Sequence, residues 1–121
     1  MGKSILVIDD SLSVRNVVRN TLESSDYEVT EAFDGMDALE KLEQKRFNLV
    51  LCDVNMPRMD GITFLKELKN KPKHKFTPVI MLTTESQASK MQEGKAAGAK
   101  AWIVKPFKPD QLLSAISKLI R

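Results

Sequence analysis

The chain has 121 residues, so one domain is expected, long enough to bury a core without disulfides or structural metal. Its one cysteine, Cys52, lies in an apolar run, which excludes an internal disulfide framework and suits a reducing compartment. The formal charge is +3, but residues 86–121 hold seven Lys or Arg and two acids, so the first 85 residues are slightly acidic.

Short apolar runs alternate with helix-length amphipathic ones. "SILVI" (Ser4–Ile8) is a compact run, read as a strand buried on both sides. Val14, Val17, Val18 and Leu22 then recur at helical spacing, with Ser11 or Ser13 as the cap. "YEVTEA" (Tyr27–Ala32) alternates and reads as a strand nearer an edge. Asp34 caps a helix bearing Ala38, Leu39 and Leu42. "NLVLC" (Asn48–Cys52) is the third strand, and Asp60 caps a helix with Ile62, Leu65 and Leu68. "PVIML" (Pro78–Leu82) is the fourth strand, its proline at the start, where a missing N–H is tolerated. Residues 86–97 form a thin-faced helix with Ala88, Met91 and Ala96 inward. "AWIV" (Ala101–Val104) is the fifth strand, and Pro109 opens a helix with Leu112, Leu113, Ile116, Leu119 and Ile120 on one face.

This is a (βα)5 pattern, an α/β fold with a parallel sheet covered on both faces. A closed eight-fold barrel needs about twice the length. The expected architecture is a doubly wound sheet of flavodoxin-like order 2-1-3-4-5, whose ligands bind at the carboxyl ends of the strands, where the order reverses.

Those ends carry the chemistry. Strand one ends in Asp9 and Asp10, strand three runs into Asp53, strand four into Thr83 and Thr84, and strand five into Lys105 and Pro106. One aspartate at a strand end is ordinarily a helix cap. Three on adjacent strands, with a threonine and a lysine, are poorly explained that way. Three close carboxylates ionise together only beside a cation. Oxygen ligands and open positions suit Mg²⁺ shared with a phosphate. Thr83 and Lys105 offer a hydroxyl and an ammonium to phosphate oxygens, and an aspartate is a competent phosphoryl nucleophile. Asp53, Thr83 and Lys105 are therefore the candidate catalytic set, and Asp9, Asp10 and Asp53 the candidate metal ligands.

No GxxxxGK[ST] loop or GxGxxG turn follows strand one, which argues against nucleotide binding. The lone histidine, His74, sits in the polar run "KNKPKHK" and reads as a surface loop residue, leaving a hydrolase without a general acid or base.

"ILVIDDS", "LVLCDVNMPRMDG", "PVIMLTTE" and "KAWIVKPF", in that order and at that spacing, resemble the receiver domain of bacterial response regulators, nearest its stand-alone chemotaxis branch. The likeness covers the whole chain, 1–121, as one receiver domain. It implies that Asp53 is the phosphoacceptor, that Asp9 and Asp10 are the acidic pair for Mg²⁺, and that Asn55 offers its backbone carbonyl to the metal. It implies a switch hydroxyl at Thr83, a phosphoryl-contacting Lys105, a cis Lys105–Pro106 bond and a switch aromatic at Trp102. A Trp there is less common than Tyr or Phe, and Thr84 stands where Ala is frequent. Asn55 and Glu85 occupy the two positions that tune dephosphorylation.

The implied function is a signalling protein that catalyses its own phosphorylation and dephosphorylation. The implied partners are a histidine kinase as phosphodonor, a flagellar motor switch protein and a phosphatase. The output face expected is helix four, strand five and helix five, where Lys90, Lys95, Lys100, Lys108 and Trp102 suit an acidic partner. With no second domain in the chain, output through a separate protein is expected. A phosphate sink or relay intermediate is the alternative with the same chemistry. A non-catalytic adaptor would show loss of Asp53, Lys105 or an acidic-pair residue, and all are present. The protein is expected to be a cytoplasmic monomer with no membrane or nucleic-acid partner, since no apolar stretch is long enough to span and no dense basic stripe is seen.

Overall fold

The computed structural model describes residues 2–84 and 89–120. Five strands and five helices alternate: β1 (Ser4–Ile8), α1 (Leu12–Glu23), β2 (Glu28–Ala32), α2 (Gly35–Gln44), β3 (Leu49–Asp53), α3 (Gly61–Lys69), β4 (Val79–Thr83), α4 (Met91–Ala96), β5 (Ala101–Val104) and α5 (Pro109–Leu119). All four strand pairings are parallel, in the order β2-β1-β3-β4-β5. The expected doubly wound sheet is therefore present, with its reversal between β1 and β3.

β3 and β4 are buried at every position, and β1 at all but its first. That explains their unbroken apolar sequences: successive side chains enter opposite cores. Leu6, Ile8, Val50, Cys52 and Met81 pack with α2 and α3 residues such as Leu42, Phe64 and Leu68. Ile5, Val7, Leu51 and Leu82 pack on the other face with Val18 and Leu22 of α1 and Leu112 and Ile116 of α5. β2 is an edge strand and only its last residue is buried.

Side-chain caps start the helices where expected. Ser11 accepts from the Val14 N–H, Asp34 from Asp37 and Asp60 from Thr63. β3 and β4 lie one residue further along the chain than their apolar runs suggest, and β2 starts one residue later but ends at Ala32 as expected. Tyr27 precedes β2 because its N–H donates to the Leu22 carbonyl at 3.1 Å, a turn bond. Asn48 precedes β3, and its side chain accepts the Ser4 N–H at 2.8 Å. Asp53 closes β3 in register with Leu82. α4 is shorter than expected, Met91–Ala96; Glu85 and Ala88 lie outside the described residues.

His74 is not a surface residue. It is 4% exposed, and its Nε2 lies 3.1 Å from the Leu42 carbonyl at the end of α2. Its neighbours in sequence are polar, but the turn from α3 to β4 points the ring inward. Among the described residues, no helix is long and apolar enough to cross a membrane.

Candidate metal and phosphoryl site

The β1–α1 turn brings Asp9 and Asp10 to the mouth of the reversal, and the last residue of β3 brings Asp53 beside them. One carboxylate oxygen from each lies within 4.8 Å of the others. Asp9 is 1% exposed, Asp53 is buried and Asp10 faces outward. The Lys105 ammonium, one residue past β5, stands 3.1 Å from Asp9 Oδ2 and 3.1 Å from Asp53 Oδ1. Thr83 ends β4 fully buried. The five residues that sequence chemistry alone selected thus meet at one end of the sheet.

The charges are unbalanced. Three carboxylates face one ammonium, leaving two negative charges to be met. Burial, then repulsion from Asp9, raises Asp53 from 3.8 to about 6, with Lys105 pulling the other way. Burial alone would lower Lys105; the attraction of Asp53 and Asp9 outweighs it, and the lysine ends above its ordinary value. A lysine held charged does not fully satisfy the pocket. An all-oxygen donor set with a deficit of two charges fits a hard divalent cation such as Mg²⁺ better than a soft or thiolate-seeking metal. The cysteine next in sequence is no competitor, because burial raises the Cys52 thiol far above its usual range.

Two neighbours hold this arrangement. A Cβ at Gly61 would run into the Asp53 carbonyl, so only glycine lets α3 begin this close to the end of β3. The Gly61 N–H also donates to the Val54 carbonyl at 2.8 Å. Arg15 of α1 donates to the Asp9 carbonyl at 2.6 Å and to Glu31 of β2 at 3.0 Å, tying the acidic turn to the sheet edge.

Sequence reasoning missed a second clamp. Arg58, in the β3–α3 loop with φ +66°, donates to both oxygens of Asp34 at 2.7 and 3.1 Å. The Arg58 guanidinium, first of all by these hydrogen bonds, holds the Asp34 carboxyl below its usual range. The two residues are 24 apart, and no local pattern pairs them. Asp34 was legible as a cap, but not as an ion-pair partner.

The remaining expected residues are placed as follows. Asn55 is exposed two positions past Asp53. Trp102 is half-buried on β5, against the same core face as Met81. Lys90, Lys95, Lys100 and Lys108 are exposed on α4, its flanks and the α5 entry. The Lys105–Pro106 bond is cis.

Residues 5–117 match the family described as the response regulator receiver domain. The chain belongs to that family. This receiver is 35% identical, over all 121 of its residues, to the transcriptional regulatory protein SrrA of Staphylococcus aureus, covering 49% of that protein. The chain therefore spans about half the length of the curated relatives it matches. Among solved structures, the receiver superposes on chemotaxis response regulator CheY4 of Vibrio cholerae with TM-score 0.93 and 45% identity, covering 99% of this chain and 100% of that one. It also superposes on the receiver domain of sensor histidine kinase PA1611 from Pseudomonas aeruginosa, with TM-score 0.92, 28% identity, and 99% and 98% coverage. That structure is described with a magnesium ion coordinated in its active-site cleft.

Proposed function

We propose that Asp53 accepts a phosphoryl group from the phosphohistidine of a histidine kinase. The observation that carries this reading is Lys105, 3.1 Å from both Asp53 and Asp9 at the reversal point of the sheet. An Asp53 oxygen attacks phosphorus in line, the P–N bond to the imidazole breaks, and the leaving imidazole keeps the bond's electron pair and takes a proton from solvent. Asp9, Asp10, Asp53 and the Asn55 carbonyl are the groups that would hold Mg²⁺, which supplies neutralisation of the transferring oxygens. Lys105 neutralises a further phosphoryl oxygen from the β5 side, and the Thr83 hydroxyl donates to another. Burial of Asp9 and Asp53 keeps this site low in dielectric, where those interactions are strongest. Water later hydrolyses the acyl phosphate, with or without a phosphatase.

Output follows from a shift of population between two arrangements of Thr83 and Trp102. The proposed receptor of that output is an acidic segment docking on Lys90, Lys95, Lys100, Lys108 and Trp102. A chemotaxis role is supported by the 45% identity with the chemotaxis response regulator CheY4 over that chain's whole length, and the flagellar motor switch is the target proposed for it. A phosphate sink uses the same site without such docking. The test is transfer of label from an autophosphorylated histidine kinase to the protein and to Asp53→Asn, followed by titration of an acidic motor-switch peptide. Label on the parent alone, with tighter peptide binding when phosphorylated, supports the reading; label without a change in peptide binding favours the sink, and no label on the parent contradicts the acceptor role.

A further inference from the structure

Among the described residues, Phe76 is the most exposed large apolar side chain, at 85%, and it lies at the opposite end of the sheet from Asp53. It sits in the α3–β4 turn, next to the α2–β3 turn. Residues 45–48 and 69–78 hold six basic residues and no acid. Arg46 and Lys73 line one hollow with Phe76, Lys75 lies over its ring, and Lys45 is exposed over the neighbouring Phe47, while Lys71 is answered by Glu43 at 3.4 Å.

The turn that carries Phe76 is firmly built. The His74 ring is buried against the Leu42 carbonyl. The Lys69 ammonium donates inward to the carbonyls of Lys75 at 3.1 Å and Thr77 at 3.0 Å. Three backbone bonds close it: His74 and Lys75 to the Lys71 carbonyl and Thr77 to the His74 carbonyl, each at 2.9 Å. A turn held from both sides of Phe76 that leaves the ring in water presents that ring outward.

We propose that this end of the molecule is a peripheral docking surface for an anionic lipid bilayer. The exposed cations ring one apolar projection, the arrangement that seats an aromatic at the headgroup boundary while lysines meet lipid phosphates. Five of the six basic residues are lysines, flexible point charges suited to laterally mobile headgroups rather than to fixed carboxylate or phosphate forks. Lysine is depleted in protein–protein interface cores. The Lys75 ammonium lies 5.2 Å from the Phe76 centroid, over a ring face that a nucleobase would need for stacking. A five-residue strand rises about 17 Å, so a bilayer at this end leaves the Asp53 mouth facing away from it.

The test is sedimentation of the full chain with vesicles of phosphatidylcholine alone or mixed with phosphatidylglycerol, at low and high salt. Phe76→Ser and the pair Lys73→Glu with Lys75→Glu are run beside it, with circular dichroism to check folding. Expected are binding to the mixed vesicles only, lost at high salt, reduced several-fold by Phe76→Ser and by at least about tenfold by the charge reversals. No binding to mixed vesicles at low salt, or binding equal in all variants, overturns the proposal. Phe76-dependent binding of an oligothymidylate that outcompetes the vesicles also overturns it, in favour of nucleic acid. None of these readouts depends on the role of Asp53.

Discussion

The Trp102 ring occupies the space that a side chain at Gly94 would need, so β5 and α4 meet through an indole laid on bare backbone. Alanine is the better helix former by about 1 kcal/mol, but overpacking costs about 1–3 kcal/mol, and the added methyl would overlap the indole. Gly94→Ala is expected to lower stability by up to about 2 kcal/mol and to change the emission of the only tryptophan. Trp102→Phe in the same background should recover part of the loss. Independent, additive effects in denaturant melts of the four proteins would contradict the contact.

Asp53 carries a pH dependence of definite sign. In the metal-free fold its carboxyl is raised from 3.8 to about 6, so between those values the folded protein keeps a proton the unfolded chain releases. Its contribution to stability is therefore greatest near pH 4 and falls as pH rises through 6. The ceiling is about 3 kcal/mol, and screening by solvent at the open mouth of the site, where Asp10 faces outward, reduces it to about 1–2 kcal/mol. Asp53→Asn should be more stable than the parent at neutral pH without metal, and the two should converge near pH 4. Mg²⁺ should narrow the gap at neutral pH. Urea midpoints across pH, with and without EDTA, check both statements.

Lys105 has opposing effects on binding and chemistry. It competes with a cation for Asp9 and Asp53, so Lys105→Met should tighten Mg²⁺ binding by on the order of tenfold. The same change removes a charge from the transferring oxygens and should slow phosphoryl acceptance by about a hundredfold. Calorimetry and transfer rates read the two separately. Loss of both together would mean that the lysine serves only to hold the fold.

His74→Ala tests the corrected placement of the lone histidine. A buried ring with one hydrogen bond to Leu42 should cost about 2–4 kcal/mol on truncation, whereas a solvent-facing histidine would cost within about 0.5 kcal/mol. A thermal melt distinguishes them.

Much of this was legible because the fold writes itself in periodicity. Apolar runs at β1, β3 and β4 reflect burial on both faces, and Ser11, Asp34 and Asp60 are caps recognisable from position alone. The site was legible because parallel strands deliver their ends to one edge, so five chemically distinctive residues at strand ends had to meet. What escaped was set by tertiary contacts. Asp53 reads as a loop residue by propensity, yet its pairing with Leu82 extends β3 to include it. The inward turn of His74 depends on a carbonyl 32 residues away. The Arg58–Asp34 clamp joins two loops that only the sheet order makes adjacent. Phe76 is one apolar residue in a polar run; its exposure depends on how Lys69 and His74 hold the turn.

The central claim is tested most directly by intact mass after incubation with Mg²⁺ and a small acyl-phosphate donor, beside Asp53→Asn. One phosphoryl adduct on the parent, absent with EDTA and absent in the variant, is the predicted result. An unmodified parent that is folded and binds Mg²⁺, or an adduct that persists in Asp53→Asn, would contradict it.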